Sequence, residues 1–114
     1  MQFNQIKIPT NEININTVIQ GSGTPLFLIH GWPESFYSWR HQINFFSEKG
    51  YKVIAPDIRG YGDSDKPKNV SDYSMKKITA DLIGILDHLG DHHAHIVGHD
   101  WGGPISWYTS LLYP

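Results

Sequence analysis

Apolar residues recur two apart through the first part of the chain. Phe3 to Ile8 predicts a short strand, and Ile13, Ile15, Thr17 and Ile19 predict a second with one face half exposed. Gly21-Ser22-Gly23-Thr24-Pro25 is a turn. Leu26 to Ile29 is then a continuous apolar run, short and bounded by turn signals, as in a strand covered on both faces. Here the spacing changes to that of a helix: Trp39, Ile43 and Phe46 share a face behind Ser35 as N-cap, and Gly50 stands where a left-handed cap closes the segment. Tyr51 to Ala55 predicts another buried strand, followed by a Gly/Asp/Pro-rich loop over Pro56 to Asn69. Met75, Ile78, Leu82, Ile85 and Leu89 lie at helical spacing between a Ser74 cap and Gly90, although Lys76 and Lys77 in the first turn oppose the helix dipole. Ala94 to Gly98 predicts the last strand. Ile105, Tyr108, Leu111 and Leu112 predict a helix from Trp101 onward, with Pro104 tolerated in its first turn. After the opening hairpin strands and helices alternate, which predicts an α/β layer around a mostly parallel sheet. The last strand would leave an open apolar edge, and its helix and the one before it would present apolar faces with too few partners. The pattern therefore reads as the beginning of a longer domain.

Composition narrows the class. The 114 residues suit one domain or part of one. With no cysteine, a disulfide framework, a cysteine zinc site, an iron–sulfur cluster and a cysteine nucleophile are excluded, and a reducing, cytoplasmic location is expected. Nine Lys+Arg against eleven Asp+Glu give a net charge of −2 with no basic stripe, so no nucleic-acid partner is expected. No apolar run approaches the roughly 20 residues that span a bilayer. The segment from Met1 to Asn16 lacks the apolar core of a signal peptide.

The chemistry is concentrated in Ile96-Val97-Gly98-His99-Asp100-Trp101-Gly102-Gly103. A buried strand runs into a helix through a turn with Gly on both sides of Asp100. This is the pattern of a nucleophile elbow, with Asp where Ser is commoner. Such a turn leaves no room for side chains beside the strained residue and lifts its carboxylate to a helix N-terminus, where free amides favour the ionised form. A carboxylate suits displacement at a saturated carbon, giving an alkyl-enzyme ester whose own carbonyl is then hydrolysed. An oxyanion hole must therefore point at Asp100 itself, and the backbone N–H groups of Trp32 and Trp101 are the expected pair. Trp32 lies in His30-Gly31-Trp32-Pro33-Glu34-Ser35-Phe36-Tyr37-Ser38-Trp39-Arg40, directly after the third strand, and a cis Trp32–Pro33 peptide is expected there.

Together with Asp57-Ile58-Arg59-Gly60-Tyr61-Gly62-Asp63-Ser64, these stretches resemble the soluble epoxide hydrolases of the α/β-hydrolase superfamily in order and spacing, from about Ile13 to Pro114. The resemblance implies the N-terminal part of an α/β-hydrolase fold, with residues 1–114 forming the N-terminal portion of a single core domain and the cap and C-terminal part absent. It implies a small-molecule epoxide as substrate, no cofactor, Asp100 as the group that opens the epoxide, and Trp32 and Trp101 as oxyanion donors. In that family a water-activating histidine, its acid partner and two proton-donating tyrosines come from later sequence. None of them matches a residue here, and Tyr37, Tyr61 and His99 are not substitutes.

Other polar residues have structural readings. His30 and His99 are expected to bond backbone near the loops, and Asp57, Arg59 and Asp63 to pin their loop. Of His92, His93 and His95 only the last two share a strand face, with no carboxylate to complete a metal set, so no metal is expected. Trp39, Trp107 and Tyr108 are expected in the core, and Glu34 is expected to favour a helix start. Gly60-Tyr61-Gly62 lacks the third glycine and the helix of a dinucleotide loop. Two rival functions share the pattern: a haloalkane or haloacid dehalogenase with the same elbow, and a non-catalytic remnant or binding protein. Against the first, Trp32 offers no side-chain amide for a halide.

Overall fold

In the computed structural model, which describes residues 2–114, the elements are β1 (Gln5–Thr10), β2 (Ile13–Gln20), β3 (Thr24–Ile29), a 3-10 turn (Phe36–Trp39), α1 (Arg40–Ser47), β4 (Tyr51–Pro56), a second 3-10 turn (Val70–Tyr73), α2 (Met75–Leu89), β5 (His95–Gly98) and α3 (Gly102–Leu112). One sheet runs β1-β2-β4-β3-β5. β3 pairs in parallel with β4 and β5, while β2 is antiparallel to both β1 and β4 and so alone opposes the other four.

The chain steps from β3 to β4 on one side and then returns to place β5 on the other side of β3. Right-handed crossovers in opposite directions put their helices on opposite faces. The core divides accordingly, following the period of two in the strands. Leu26 and Leu28 of β3 join Val53 and Ala55 of β4, Phe36 and Ile43 in one cluster. Phe27 and Ile29 join Ile54, Ile78, Leu82, Ile85 and Ile105 in the other. A strand buried on both faces needs apolar residues at every position, hence the unbroken run from Leu26 to Ile29.

Several local outcomes differ from expectation. The first strand lies two residues later, because Asn11 and Glu12 both take positive φ (50° and 70°) and form the two-residue primed turn whose twist matches a hairpin. β1 is an edge strand, which tolerates Pro9. The centre of β2 is buried rather than half exposed: Asn16 N–H donates to Ser64 Oγ (2.8 Å) and Asn16 Nδ2 to Asp57 (3.1 Å), so a polar residue sits inside at no loss of hydrogen bonds. Ser35 caps the 3-10 turn and α1 follows it, with Ile43 buried and Trp39 and Phe46 partly so.

α2 forms over the predicted span. Ser74 Oγ accepts the Lys77 N–H, and Lys77 Nζ pairs with Asp72 at 3.0 Å just ahead of the helix. A serine cap contributes about 1 kcal/mol, as much as the roughly 0.3–1 kcal/mol of a misplaced charge. Contrary to expectation, the apolar face of α2 is covered, through Ile78, Leu82 and Ile85. α3 docks by Ile105, Ser106 and Thr109, so Trp107 (73% exposed) and Tyr108 lie on its outer side rather than in the core.

The one buried ion pair among the described residues joins the loop after β4 to α2. Arg59 Nε and Nη2 donate to the two Asp81 oxygens at 2.7 and 2.8 Å, and Arg59 Nη1 donates to the Asp72 carbonyl. Removing one partner from such a pair leaves an uncompensated buried charge. Arg59→Leu is expected to lower stability by about 3–5 kcal/mol, and Arg59→Leu combined with Asp81→Leu by clearly less, as read from urea denaturation midpoints.

Candidate active site

β3 and β5 end side by side, with Ile29 opposite Gly98, at the point where the strand order reverses. Crevices outside the carboxyl ends of parallel strands at such a reversal are where ligands bind in open α/β sheets. Two loops leave this point, and the backbone brings them into contact. Past β5, Asp100 takes φ 57°. The Gly102 and Gly103 N–H groups close on the His99 and Asp100 carbonyls at 2.9 and 3.0 Å, which starts α3. Past β3, the Trp32 N–H donates to Asp100 Oδ2 at 3.1 Å. The Trp32–Pro33 peptide is cis.

The glycines are explained by close approach. A Cβ on Gly98 would overlap the Gly102 carbonyl, one on Gly102 would overlap the Ile29 carbonyl, and one on Gly31 would overlap the Asp100 side chain. The elbow and the opposing loop touch backbone to backbone. Gly31 belongs to this set and is invisible from the elbow spacing alone, since its neighbour is sixty-nine positions away in the chain.

The Trp101 and Trp32 amides, in that order of effect, hold the Asp100 carboxyl below the usual carboxylate range, with a smaller contribution from nearby His99. The carboxylate is exposed and shares an open hollow of about 450 Å³ with Trp32, Tyr61 and Trp101. Both predicted amide donors therefore lie beside the predicted acid, and Tyr61 joins them from the loop after β4.

Residues 24–114 match the alpha/beta hydrolase fold family. The chain belongs to that family. Over 94% of its length it is 49% identical to epoxide hydrolase 2 of Siraitia grosvenorii, and over 93% it is 44% identical to epoxide hydrolase A of Mycobacterium tuberculosis, covering 34% of each. Among solved structures it superposes on epoxide hydrolase A of Mycobacterium thermoresistibile with a TM-score of 0.96 at 42% identity, covering 99% of this chain and 36% of that one. A mutant epoxide hydrolase of Vigna radiata gives a TM-score of 0.97 at 40% identity, covering 99% and 36%. The chain thus spans about a third of the length of these relatives.

Around this alpha/beta hydrolase elbow, polar residues brace the two loops. His30 Nε2 accepts the Ile58 N–H at 2.9 Å, so Nδ1 carries the proton and lies 2.9 Å from the Gly31 carbonyl. Asp57 accepts from Phe36 N–H, Asp63 N–H and Asn16 Nδ2, tying three segments together. Glu34 does not serve a helix start. Its Oε1 accepts the Gly31 N–H at 2.9 Å and lies 3.7 Å from His99 Nδ1, so it closes the turn that carries Trp32. His92 and His93 line a separate hollow between α2 and α3, and no group of metal-ligating side chains occurs among the described residues.

Burial, partly opposed by the Gly31 carbonyl and by Asp57 and Glu34, lowers the pKa of His30. Protonation would also turn Nε2 from acceptor to donor against the Ile58 N–H. Because the unfolded chain then binds the extra proton more readily, stability is full above the unfolded value of about 6.5 and falls as pH drops below it. Denaturation midpoints are expected to decline between about pH 7 and pH 5. That part of the decline should vanish in His30→Gln, whose own midpoint is lower throughout.

Proposed function

We propose that Asp100 is the nucleophile of an epoxide-opening hydrolase, with the Trp32 and Trp101 amides as its oxyanion donors. We also read residues 1–114 as the N-terminal portion of a single alpha/beta hydrolase core. The observation that carries the reading is the pair of backbone amides aimed at an ionised, exposed carboxylate in an aromatic hollow. The relatives named epoxide hydrolase support the choice of substrate class.

In this reading each oxygen has its own task. Oδ2 is held by the Trp32 N–H, which leaves Oδ1 to attack a ring carbon of the epoxide. A new carbon–oxygen ester bond forms, the ring carbon–oxygen bond breaks, and its electron pair passes to the ring oxygen, which takes a proton from water in the open hollow. Water then adds to Cγ of the ester. Oδ2 becomes the oxyanion facing the Trp32 amide, with the Trp101 amide beside the carboxyl, and collapse releases the vicinal diol and restores the carboxylate. Of the histidines near the elbow, His30 is held at both nitrogens by Ile58 and Gly31, and His99 is exposed with Nδ1 3.7 Å from Glu34. In this reading neither serves as base for the second step, so the 114 residues by themselves are expected to stop at the ester.

A halide-displacing reading would use the same Oδ1 attack. It lacks support at position 32, where the side chain is a tryptophan rather than an amide. The absence of cysteine supports a cytoplasmic setting, and no helix among the described residues is long and apolar enough to cross a membrane.

Incubation of the 114-residue chain with styrene oxide is expected to add one epoxide mass, located on Asp100 by peptide mapping, with no sustained diol release. Asp100→Asn should acquire none. Because the carboxyl is held below the ordinary value of about 4, adduct formation should stay level from neutrality to about pH 5. Absence of an adduct at Asp100 would overturn the proposal, repeated turnover would overturn the expected stop at the ester, and faster reaction with a haloalkane would transfer the reading to the rival.

A further inference from the structure

Three aromatic side chains frame Asp100, and two of them owe their places to the backbone amides they carry. Tyr61 has no such duty. It reaches the hollow from the loop after β4, which is held rigidly: the Tyr61 N–H donates to the Ile58 carbonyl (2.8 Å) and the Ser64 N–H to the Tyr61 carbonyl (3.1 Å). Next to it, Gly62 takes φ 51° where a Cβ would overlap the Asp57 carboxylate. Its ring packs edge-on against His30 with centroids 5.2 Å apart, and His30 is itself fixed at both nitrogens. Burial and the charge of Asp100 push the phenol pKa up, so the side chain is neutral beside the carboxylate. A rigid, uncharged ring is thus presented to the space that a bound molecule must occupy.

We propose that the Tyr61 ring is a specificity-determining wall of this hollow, packing against the apolar substituent of a substrate held over Asp100 and favouring flat aryl groups over small alkyl groups. The inference rests on the reading of Asp100 as nucleophile for the words "substrate" and "epoxide", but the wall itself is a matter of shape and surface. Apart from Asp100 the hollow is lined by Trp32, Tyr61 and Trp101. Such walls reward a ring that can lie edge-on or offset against them and give little to a methyl group. The ring, not the hydroxyl, carries the effect.

The test uses two unreactive diols, phenyl glycol and propylene glycol, with binding followed by the amide and indole NMR signals of the 114-residue chain. Wild type is expected to prefer phenyl glycol. Tyr61→Leu should weaken phenyl glycol about tenfold and propylene glycol by no more than about twofold, as loss of one aromatic contact implies, while Tyr61→Phe should match wild type for both. If Tyr61→Leu does not fold, Tyr61→Met, which keeps bulk against His30, is read in the same way. No preference in wild type, an equal loss for both diols, or a loss in Tyr61→Phe as large as in Tyr61→Leu would each overturn the assignment. In parallel, the ratio of Asp100 alkylation by styrene oxide and by propylene oxide should fall by the same factor in Tyr61→Leu. If wild type forms no adduct at all, the nucleophile reading fails while the diol ratio still decides the role of Tyr61.

Discussion

The structure depends on one backbone contact, the approach of the Asp100 elbow to the loop that leaves β3. A non-glycine residue at φ 57° costs of order 1–3 kcal/mol and persists only where its surroundings leave no alternative. Those surroundings are glycines at 31 and 102, each so close to the opposing segment that a Cβ would force the two apart, and Gly98, which lies against the Gly102 carbonyl within the elbow itself. The parallel register that sets Ile29 opposite Gly98 brings the two loops to the same height. The Trp32 N–H then meets Asp100 Oδ2 because the chain has nowhere else to go. Strain, glycine placement and carboxylate orientation are one arrangement.

Around that contact the buried polar residues act as braces. Asp57 collects donors from β2, the Phe36 turn and the Asp63 loop, His30 links the Trp32 loop to Ile58, and Arg59 carries the restraint on to α2 through Asp81. Each burial would be costly if unpaired. Each is paired, and each ties a loop rather than a strand. The strands are held by apolar alternation, whereas the loops, which present the site, have few apolar residues and are held by charge and hydrogen bonds.

This division explains what could be read from the residues alone. Elements with a strong period were legible: the run from Leu26 to Ile29, the Ser74-to-Gly90 helix and the strand–turn–helix around Asp100 all formed close to where spacing placed them. The hairpin was displaced because its turn, Asn11-Glu12, lacks the glycine that usually marks a primed turn. Trp107 and Tyr108 share the periodicity of a core face, and periodicity cannot say which of two apolar faces meets the sheet. In the candidate site, the turn around Asp100 and Trp101 was legible because the glycine pattern is local, and the place of Trp32 beside it followed from its position directly after β3. Gly31 as a contact surface, Glu34 as the clasp of its turn and Tyr61 as a wall depend on segments far apart in sequence, and no local spacing encodes them.

The resting contacts of the carboxylate bear differently on the two steps proposed for Asp100. Amides that already hold the carboxylate stabilise the ground state, and interactions present equally in ground and transition states do not accelerate a reaction. In the proposed first step they would draw charge from Asp100 and make Oδ1 a weaker nucleophile, in line with the lowered pKa. That step then requires an electrophile with its own driving force, such as a strained ring or a good leaving group. In the proposed ester the carbonyl oxygen would have lost most of its charge, and the Trp32 amide would gain only when water adds and Oδ2 becomes an oxyanion. If Asp100 acts as proposed, such an arrangement would hinder attack on ordinary carbon, assist release from the ester and favour substrates that bring strain with them. Because both donors are main-chain amides, that bias resides in the turns, one of them clasped by Glu34 and braced by His30, rather than in the tryptophan side chains.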